Sequence, residues 1–216
     1  MGKGRSGAGG GARDNTKWGT GDVGGFKAHT DPEEIQKQVG NESWEERLTD
    51  DQKEALDMYM NREYAFERMN EALRHPEKEA SEEVQKWNTD LEAALDDSYL
   101  KQNIVVARRS DASLIGGAET AADVKKMYGQ VVTDPGFTSS SAKVDFEAFK
   151  STRDVEYHIK VPGRQKGVGA YVQHFGKSGD EYEFLFNRGS SFRILGGYES
   201  FGKLHVNMEY VGRFKS

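Results

Sequence analysis

The residues best able to do chemistry lie in three short segments of the second half of the chain. Residues 103–111 read NIVVARRSD, a β-branched run that ends in Arg108 and Arg109. Residues 136–141 read GFTSSS and present three consecutive serines after a Pro-Gly turn. Residues 179–192 contain two glutamates in the order EYE, followed by FLFNRGSSF. Arginine, hydroxyl and paired carboxylate groups are suited to binding phosphate and to acid–base work on a sugar.

An arginine at the end of a buried strand can bind phosphate through its planar fork of donors, and it stays charged at working pH. Neighbouring strand residues point to opposite faces, so Arg108 and Arg109 should occupy different environments. Taken alone, such a segment is more often an ordinary solvated strand end. The hydroxyl-rich run is a weak signal by itself, because such loops are common in turns.

Glu181 and Glu183 stand two residues apart, and on an extended segment they project from the same face. Two carboxylates on one face repel each other unless solvent, a hydrogen bond or a function compensates. In a functional interpretation one carboxylate stabilises positive charge on a sugar carbon, and the other handles the proton of an acceptor. A solvated strand face remains the alternative for this motif in isolation.

Helices are predicted ahead of these segments. Ser43 with Glu46, and Thr49 with Gln52, have the spacing of a capping box, so helices should begin near both. Apolar residues then recur at helical intervals through residues 49–74, and again through residues 81–97.

Extended segments follow the helices. The β-branched run 104–106 and the alternating segment 155–161 indicate strands, as do residues 182–187, 191–195 and 204–213. Helices first and strands afterwards predict an α+β fold, with N-terminal helices packed on a mainly antiparallel two-sheet β core.

Composition narrows the class of protein. The chain is 35% hydrophobic and 31% charged, with a net charge of −6 and no cysteine, which excludes disulfides and thiolate chemistry. It has no apolar run of the roughly 20 residues that a membrane span needs. The negative charge is concentrated in residues 31–100, and the small positive excess of residues 101–216 is too weak for a dedicated nucleic-acid binder.

The glycine-rich residues 1–40 are predicted to form a flexible tail or linker, ahead of a catalytic domain over residues 41–216. Its helical part should cover about residues 43–100 and its β-rich part about 101–216. No secretory apolar segment follows the first methionine. We therefore expect action in the cytoplasm of a host or target cell, with delivery by non-Sec machinery or by a phage.

No metal site is predicted. The five histidines lie far apart in sequence, with no ligand pair at helical or hairpin spacing: His29, His75, His158, His174 and His205.

Taken in order, the segments VARRS, GFTSSS and EYE followed by FNRGSS resemble the Arg, Ser-Thr-Ser and Glu-x-Glu motifs of the ADP-ribosyltransferase exoenzyme family. The helical stretch LTDDQKEALDMYMNREYAFERMNEALR resembles the N-terminal signature of that family. The resemblance covers about residues 45–216. Ser140 stands where the motif has threonine, a change that retains the hydroxyl.

The resemblance implies a mono-ADP-ribosyltransferase that uses NAD as co-substrate and no metal. Glu183 would stabilise the sugar cation as nicotinamide departs, Ser139 would hold Glu183, and Arg108 would grip the NAD phosphates. Glu181 would orient or deprotonate the acceptor, and a glutamate there resembles the arginine-modifying members. The NAD contacts implied in this way are Tyr64, Arg108, Arg109, Ser139, Phe149 and Arg153.

An acceptor protein is therefore the expected partner, modified on arginine. Two alternatives stay open from the sequence. The enzyme could mainly hydrolyse NAD, because water can intercept the same sugar cation, or the chain could be a non-catalytic structural module of a phage or secreted protein.

Overall fold

The structure is a computed structural model that describes residues 13–19, 21–40, 42–145, 155–177 and 181–214. Its helices precede most of the strands, as predicted. In chain order the α-helices are α1 Pro32–Val39, α2 Glu42–Glu45, α3 Asp50–Asn61, α4 Ala65–Arg74, α5 Glu82–Asp96 and α6 Ala121–Lys126. Within these ranges no helix combines the length and the apolar character that crossing a membrane requires.

Capping groups set the starts of the main helices. The Thr49 side chain accepts from the Gln52 amide at 3.3 Å, and the Gln52 side chain accepts from the Thr49 amide at 3.0 Å, which confirms the capping box at the start of α3. A helix also begins near Ser43, as predicted, but Ser43 lies inside the short helix α2 and therefore does not cap it. The helical pattern through residues 49–74 forms two helices, since Tyr64 takes a left-handed φ of 62° between α3 and α4.

The strands form an antiparallel-dominated sheet. They are β1 Gly21–Asp22, β2 Lys27–Ala28, β3 Tyr99–Leu100, β4 Ile104–Ser110, β5 Val131–Thr133, β6 Thr138–Ser141, β7 Val155–Val161, β8 Gln165–Lys166, β9 Gly169–Tyr171, β10 Glu183–Phe186, β11 Ser190–Ser200 and β12 Lys203–Arg213. The main order is β5-β11-β12-β7-β4-β6-β10-β9, and β3 pairs separately with β8. The pair β7–β12 is parallel, as is the short contact of β2 with β4.

The main sheet divides into two halves. Among the described residues, β4 and β6 share one register pair, Ala107 with Ser141, whereas β4 and β7 pair along their whole length. Apolar side chains from both halves, such as Val106 and Phe184, meet in one buried cluster. A second cluster joins α3, α4 and α5 to the outer face of β9 and β10. The predicted α+β fold with a two-sheet core is confirmed.

The N-terminal residues that the structure describes do not form a separate tail. Trp18, Ile35 and Val39 are buried. The Asp14 amide donates to the Leu195 carbonyl at 2.8 Å, which fastens this segment to β11. The described part of the predicted tail, residues 13–19 and 21–40, is therefore packed against the domain, because a few aromatic and aliphatic groups among the glycines suffice to anchor it.

Candidate active site

The serine strand and the glutamate strand are direct neighbours. In the antiparallel pair β6–β10, Glu183 lies opposite Ser141, and Ser139 lies two residues further along on the same face. The Ser139 side chain hydrogen-bonds Glu183. The other two hydroxyls hold the strand: Ser140 donates to a β10 carbonyl at 2.7 Å, and Ser141 donates to the Glu181 carbonyl at 2.7 Å. One serine thus faces the carboxylate while the others fix the backbone beneath it.

Glu183 is a buried carboxyl group with only 6% of its surface exposed. Burial raises its pKa to about 7, and the charge of Glu181 acts in the same direction. The Ser139 hydrogen bond and the positive charge of Arg108 oppose that rise. Its backbone is fixed as well, because its amide donates to the Gln173 side chain at 3.2 Å. The result is a rigid carboxylate that is poised to ionise near neutral pH.

Arg108 and Arg109 point to different faces of β4, as predicted. Nη1 of Arg108 donates to the Ser139 carbonyl, so the guanidinium spans the junction of β4 and β6. Nε of Arg109 donates to Glu156 Oε2 at 2.8 Å, and the Arg109 side chain is 4% exposed. Arg108 therefore faces the glutamate site. A contact of Arg109 with NAD stays a prediction, because its described side chain pairs with Glu156 on β7.

Glu181 precedes β10, and Tyr182 between the two glutamates has a left-handed φ of 49°. The expectation of a continuous extended segment through both glutamates is therefore wrong. A bulky residue in this region is strained and persists only where its surroundings enforce it. The Tyr182 carbonyl accepts from the Ala142 amide at 2.8 Å, which fastens the turn to the end of β6. The two carboxylates still converge, through a turn in place of a strand face.

Two cavities meet at Arg108. The first, of about 80 Å³, is lined by Ala107, Arg108, Arg109, the three serines of β6, Glu181 and Glu183. The second, of about 290 Å³, is lined by Arg74, Arg108, Ser110, Asp111, Asp134 and neighbouring residues. The first brings together four predicted site residues: Arg108, Ser139, Glu181 and Glu183. The second adds a larger polar space that Arg108 also lines.

Sequence reasoning missed a polar network that supports the serine strand. Arg74 in α4 makes two hydrogen bonds to the buried Asp134, at 2.9 and 2.8 Å. Burial acts to raise the pKa of Asp134, but the hydrogen bond and charge of Arg74 outweigh it, so the pKa is lowered. Asp134 also accepts from Thr138 at 2.9 Å, at the start of β6. The signal in sequence is NEALR, the end of the helical stretch that resembles the family signature.

Asn70 and Tyr59 complete this network. The Asn70 side chain accepts from the Phe137 amide at 2.8 Å and donates to the Tyr59 hydroxyl at 3.1 Å. Burial raises the pKa of Tyr59, and the charge of Glu183 raises it further, so the phenol stays protonated near the carboxylate. The helices thus position the turn that leads into the serine strand.

The remaining predicted contacts are not brought into these cavities. Tyr64 is 60% exposed, at the start of α4, and lines neither cavity. Phe149 and Arg153 lie outside the described residues. A role of these three residues in binding NAD stays a prediction.

Two of the histidines that lie far apart in sequence meet in the fold. The parallel pairing of β7 with β12 brings His158 and His205 within 3.4 Å, measured from Nε2 to Nδ1, and Glu156 lies beside them. The pair is invisible in sequence because its members are 47 residues apart. This cluster lies on the Arg109 face of β4.

Comparisons with known proteins bear on the class of this site. The family described as ADP-ribosyltransferase exoenzyme matches residues 37–210. Together with the fold, this match defines an NAD-dependent transferase of the ADP-ribosyl type. The chain belongs to the ADP-ribosyltransferase exoenzyme family. No curated protein matches the sequence.

Solved structures share the fold. Plx2a, an ADP-ribosyltransferase toxin from Paenibacillus larvae, has a TM-score of 0.70 at 19% identity, over 83% of this chain and 94% of that one. The C3 exoenzyme of Clostridium limosum has a TM-score of 0.73 at 17% identity, over 87% and 98%. C3stau2 from S. aureus, solved with NAD, has a TM-score of 0.71 at 17% identity, over 88% and 100%. At these identities the likeness establishes the fold.

Proposed function

We propose that the protein is a mono-ADP-ribosyltransferase that moves ADP-ribose from NAD onto an arginine of an acceptor protein and releases nicotinamide. The observation that carries the proposal is the cavity in which Arg108, Ser139, Glu181 and Glu183 converge. Family membership supports the use of NAD, and the arrangement of the two glutamates supports the acceptor.

Glu183 would act on the ribose carbon that bonds nicotinamide. NAD supplies a sugar whose C–N bond breaks as positive charge develops on that carbon. A buried, fixed carboxylate stabilises such charge strongly, because no solvent reorganisation is needed at the moment of reaction. The Ser139 hydrogen bond favours the ionised form and fixes the rotamer, while the low exposure excludes water. Glu183 is therefore assigned to stabilising the sugar cation.

Arg108 would bind the pyrophosphate, because it lines both cavities. The nicotinamide end would then enter the small cavity beside Glu183, and the adenosine end would take the larger one. A guanidinium at this boundary offers a bidentate contact to phosphate oxygens. Its hydrogen bond to the Ser139 carbonyl orients the fork toward that boundary.

Glu181 would receive the acceptor. It lines the small cavity on the turn side, and its side chain is more accessible than that of Glu183. A carboxylate can pair with a guanidinium in the bidentate manner and remove its proton as the new C–N bond forms. Glutamine could not take that proton, so a glutamate at this position supports arginine as the acceptor.

The place of action is proposed to be the cytoplasm of a host or target cell. Plx2a carries the description of a toxin, and a toxin role for the present chain is part of the proposal. The acceptor protein is to be identified by experiment.

The test is incubation of the purified protein with NAD labelled in the adenosine part, in bacterial and eukaryotic lysates. Labelled protein bands and released nicotinamide are read in parallel. Glu183→Gln should abolish both signals, and Glu181→Gln should abolish arginine transfer while leaving part of the NAD cleavage. Glu119→Gln is the matched control, because Glu119 is exposed and lines neither cavity.

The outcomes separate the alternatives. Bands that disappear with Glu183→Gln, and whose label maps to arginine, support the proposal. Nicotinamide without bands would favour an NAD glycohydrolase, and neither signal would favour a non-catalytic module. Equal loss of both signals in the Glu181 and Glu183 variants would contradict the division of roles.

A further inference from the structure

A cluster formed by Glu156, His158 and His205 lies on β7 and β12, on the face that Arg109 of β4 shares. In the pair β4–β7, Arg108 is opposite Tyr157 and Arg109 is opposite Glu156, so these two pairs face different sides. Glu156 and His158 stand two residues apart on β7 and therefore share one face. His205 on β12 is the register partner of Glu156. Three ligand-type side chains thus project together from two adjacent strands.

The distances between the three candidate ligand atoms are close to those between ligands of a single metal ion. Oε1 of Glu156 lies 3.1 Å from Nε2 of His158 and 3.9 Å from Nδ1 of His205. The two histidine nitrogens are 3.4 Å apart. Ligands about 2.1 Å from a tetrahedral zinc ion are separated by about 3.4 Å from one another. One ion can therefore contact all three atoms without a change in the strand backbone.

Neighbouring groups hold the ligands in place. Arg109 binds the other oxygen of Glu156, Oε2, at 2.8 Å and leaves Oε1 turned toward the histidines. The ring of His205 hydrogen-bonds the backbone of Ser200 and stacks on Tyr198, with centroids 4.6 Å apart and planes within 3°. Partners of this kind fix the tautomer and orientation of metal-binding imidazoles and carboxylates.

The cluster is protected but reachable. The side chains of Glu156, His158 and His205 are 12%, 8% and 12% exposed. All three line a cavity of about 530 Å³, which can supply a water molecule or a small anion as a further ligand. Arg109 neutralises Glu156, so such an anion would also balance the charge of a divalent ion. Two imidazoles, one carboxylate and one open position form a donor set suited to zinc and to neighbouring transition metals.

We propose that Glu156, His158 and His205 form a binding site for a divalent transition-metal ion, with zinc as the reference ion. Each imidazole uses the nitrogen that faces the cluster and keeps its proton on the other one. The ion would tie β7 to β12 across a parallel pair. None of the three residues lines either cavity proposed for NAD, and the site is tested without an activity assay.

The test is isothermal titration of Zn²⁺ into the full chain after treatment with a chelator, with circular dichroism to verify folding. We expect one ion per chain. Both His205→Ala and Glu156→Gln should weaken binding at least tenfold. His75→Ala is the control, because His75 has two nearby glutamates at the surface and could bind zinc adventitiously.

No binding, binding that survives His205→Ala, or binding that is lost in His75→Ala would overturn the proposal. A second readout covers the case in which Glu156→Gln fails to fold because Arg109 loses its partner. In the wild-type protein, the imidazole nitrogen resonances of two of the five histidines should shift on addition of Zn²⁺. Assignment of the shifted resonances to any pair other than His158 and His205 would refute the site.

Discussion

Replacing Glu183 by glutamine should stabilise the free protein at alkaline pH while it destroys the proposed activity. The carboxyl group is buried, and its pKa is raised from 4.5 to about 7. At roughly 1.4 kcal/mol per pKa unit, ionising it inside the fold costs about 3 kcal/mol of stability. Glutamine has the same shape and can keep the Ser139 hydrogen bond, but it never ionises.

The sign follows from proton linkage. Between pH 4.5 and about 7 the folded protein holds a proton on Glu183 that the unfolded chain has released. Stability therefore falls as pH rises through this window, and the full cost is present above it. Glu183→Gln should exceed wild type in free energy of unfolding by about 3 kcal/mol at pH 8 and by about 1 kcal/mol at pH 5.5.

Urea unfolding followed by circular dichroism at both pH values measures this gap. Glu119→Gln serves as the control, since this residue is exposed and surface substitutions change stability little. A gap that does not change between pH 5.5 and pH 8, or a glutamine variant less stable than wild type at pH 8, would refute the reasoning. Either result would mean that Glu183 is ionised in the free protein without strain.

Three further predictions concern the site and its support. The kcat/KM for NAD cleavage should rise as pH passes through about 7, because ionised Glu183 is the reactive form; a flat profile of nicotinamide release would contradict this. Arg74→Ala should lower the free energy of unfolding by about 2 kcal/mol in urea, because the buried Asp134 carboxylate would lose its charged partner. The loss is moderate because the Arg74 side chain is itself partly exposed to solvent. Adding Asp134→Asn should recover part of that loss, and a loss below about 0.5 kcal/mol would exclude the pair as a support. Gly136→Ala should lower Tm, because the new Cβ would lie 2.5 Å from Asn70 Oδ1; an unchanged Tm would show that the turn can move aside.

Local sequence signals predicted the elements well. The reciprocal spacing of Thr49 and Gln52 located the start of α3, and Ser81 accepts from the Val84 amide at the start of α5. Strict alternation predicted the strand Val155–Val161, because each second side chain enters the core. These features depend on residues within a few positions of one another, which is why one sequence suffices to find them.

Long-range pairing could not be predicted in the same way. Arg74 and Asp134 are 60 residues apart, and neither strand pattern nor charge spacing says which helix faces which turn. The meeting of His158 with His205 depends on the parallel register of β7 and β12, which a single alternating strand does not encode. The left-handed Tyr182 was also missed, because aromatic residues ordinarily indicate extended backbone.

The narrow junction between β4 and β6 has a consequence for local opening of the sheet. In the described residues, β4 and β6 share one register pair. Separating the two halves of the sheet at this junction would therefore break few backbone hydrogen bonds. The Arg108 guanidinium crosses this junction and donates to the Ser139 carbonyl, so it helps to hold the two halves together. A phosphate that binds Arg108 would compete with the hydrogen bond from Arg108 to the Ser139 carbonyl. We therefore expect the amide hydrogens of β6 to exchange at different rates in the free and NAD-bound protein. Binding of NAD and local opening of the sheet between β4 and β6 are then linked through the Arg108 side chain.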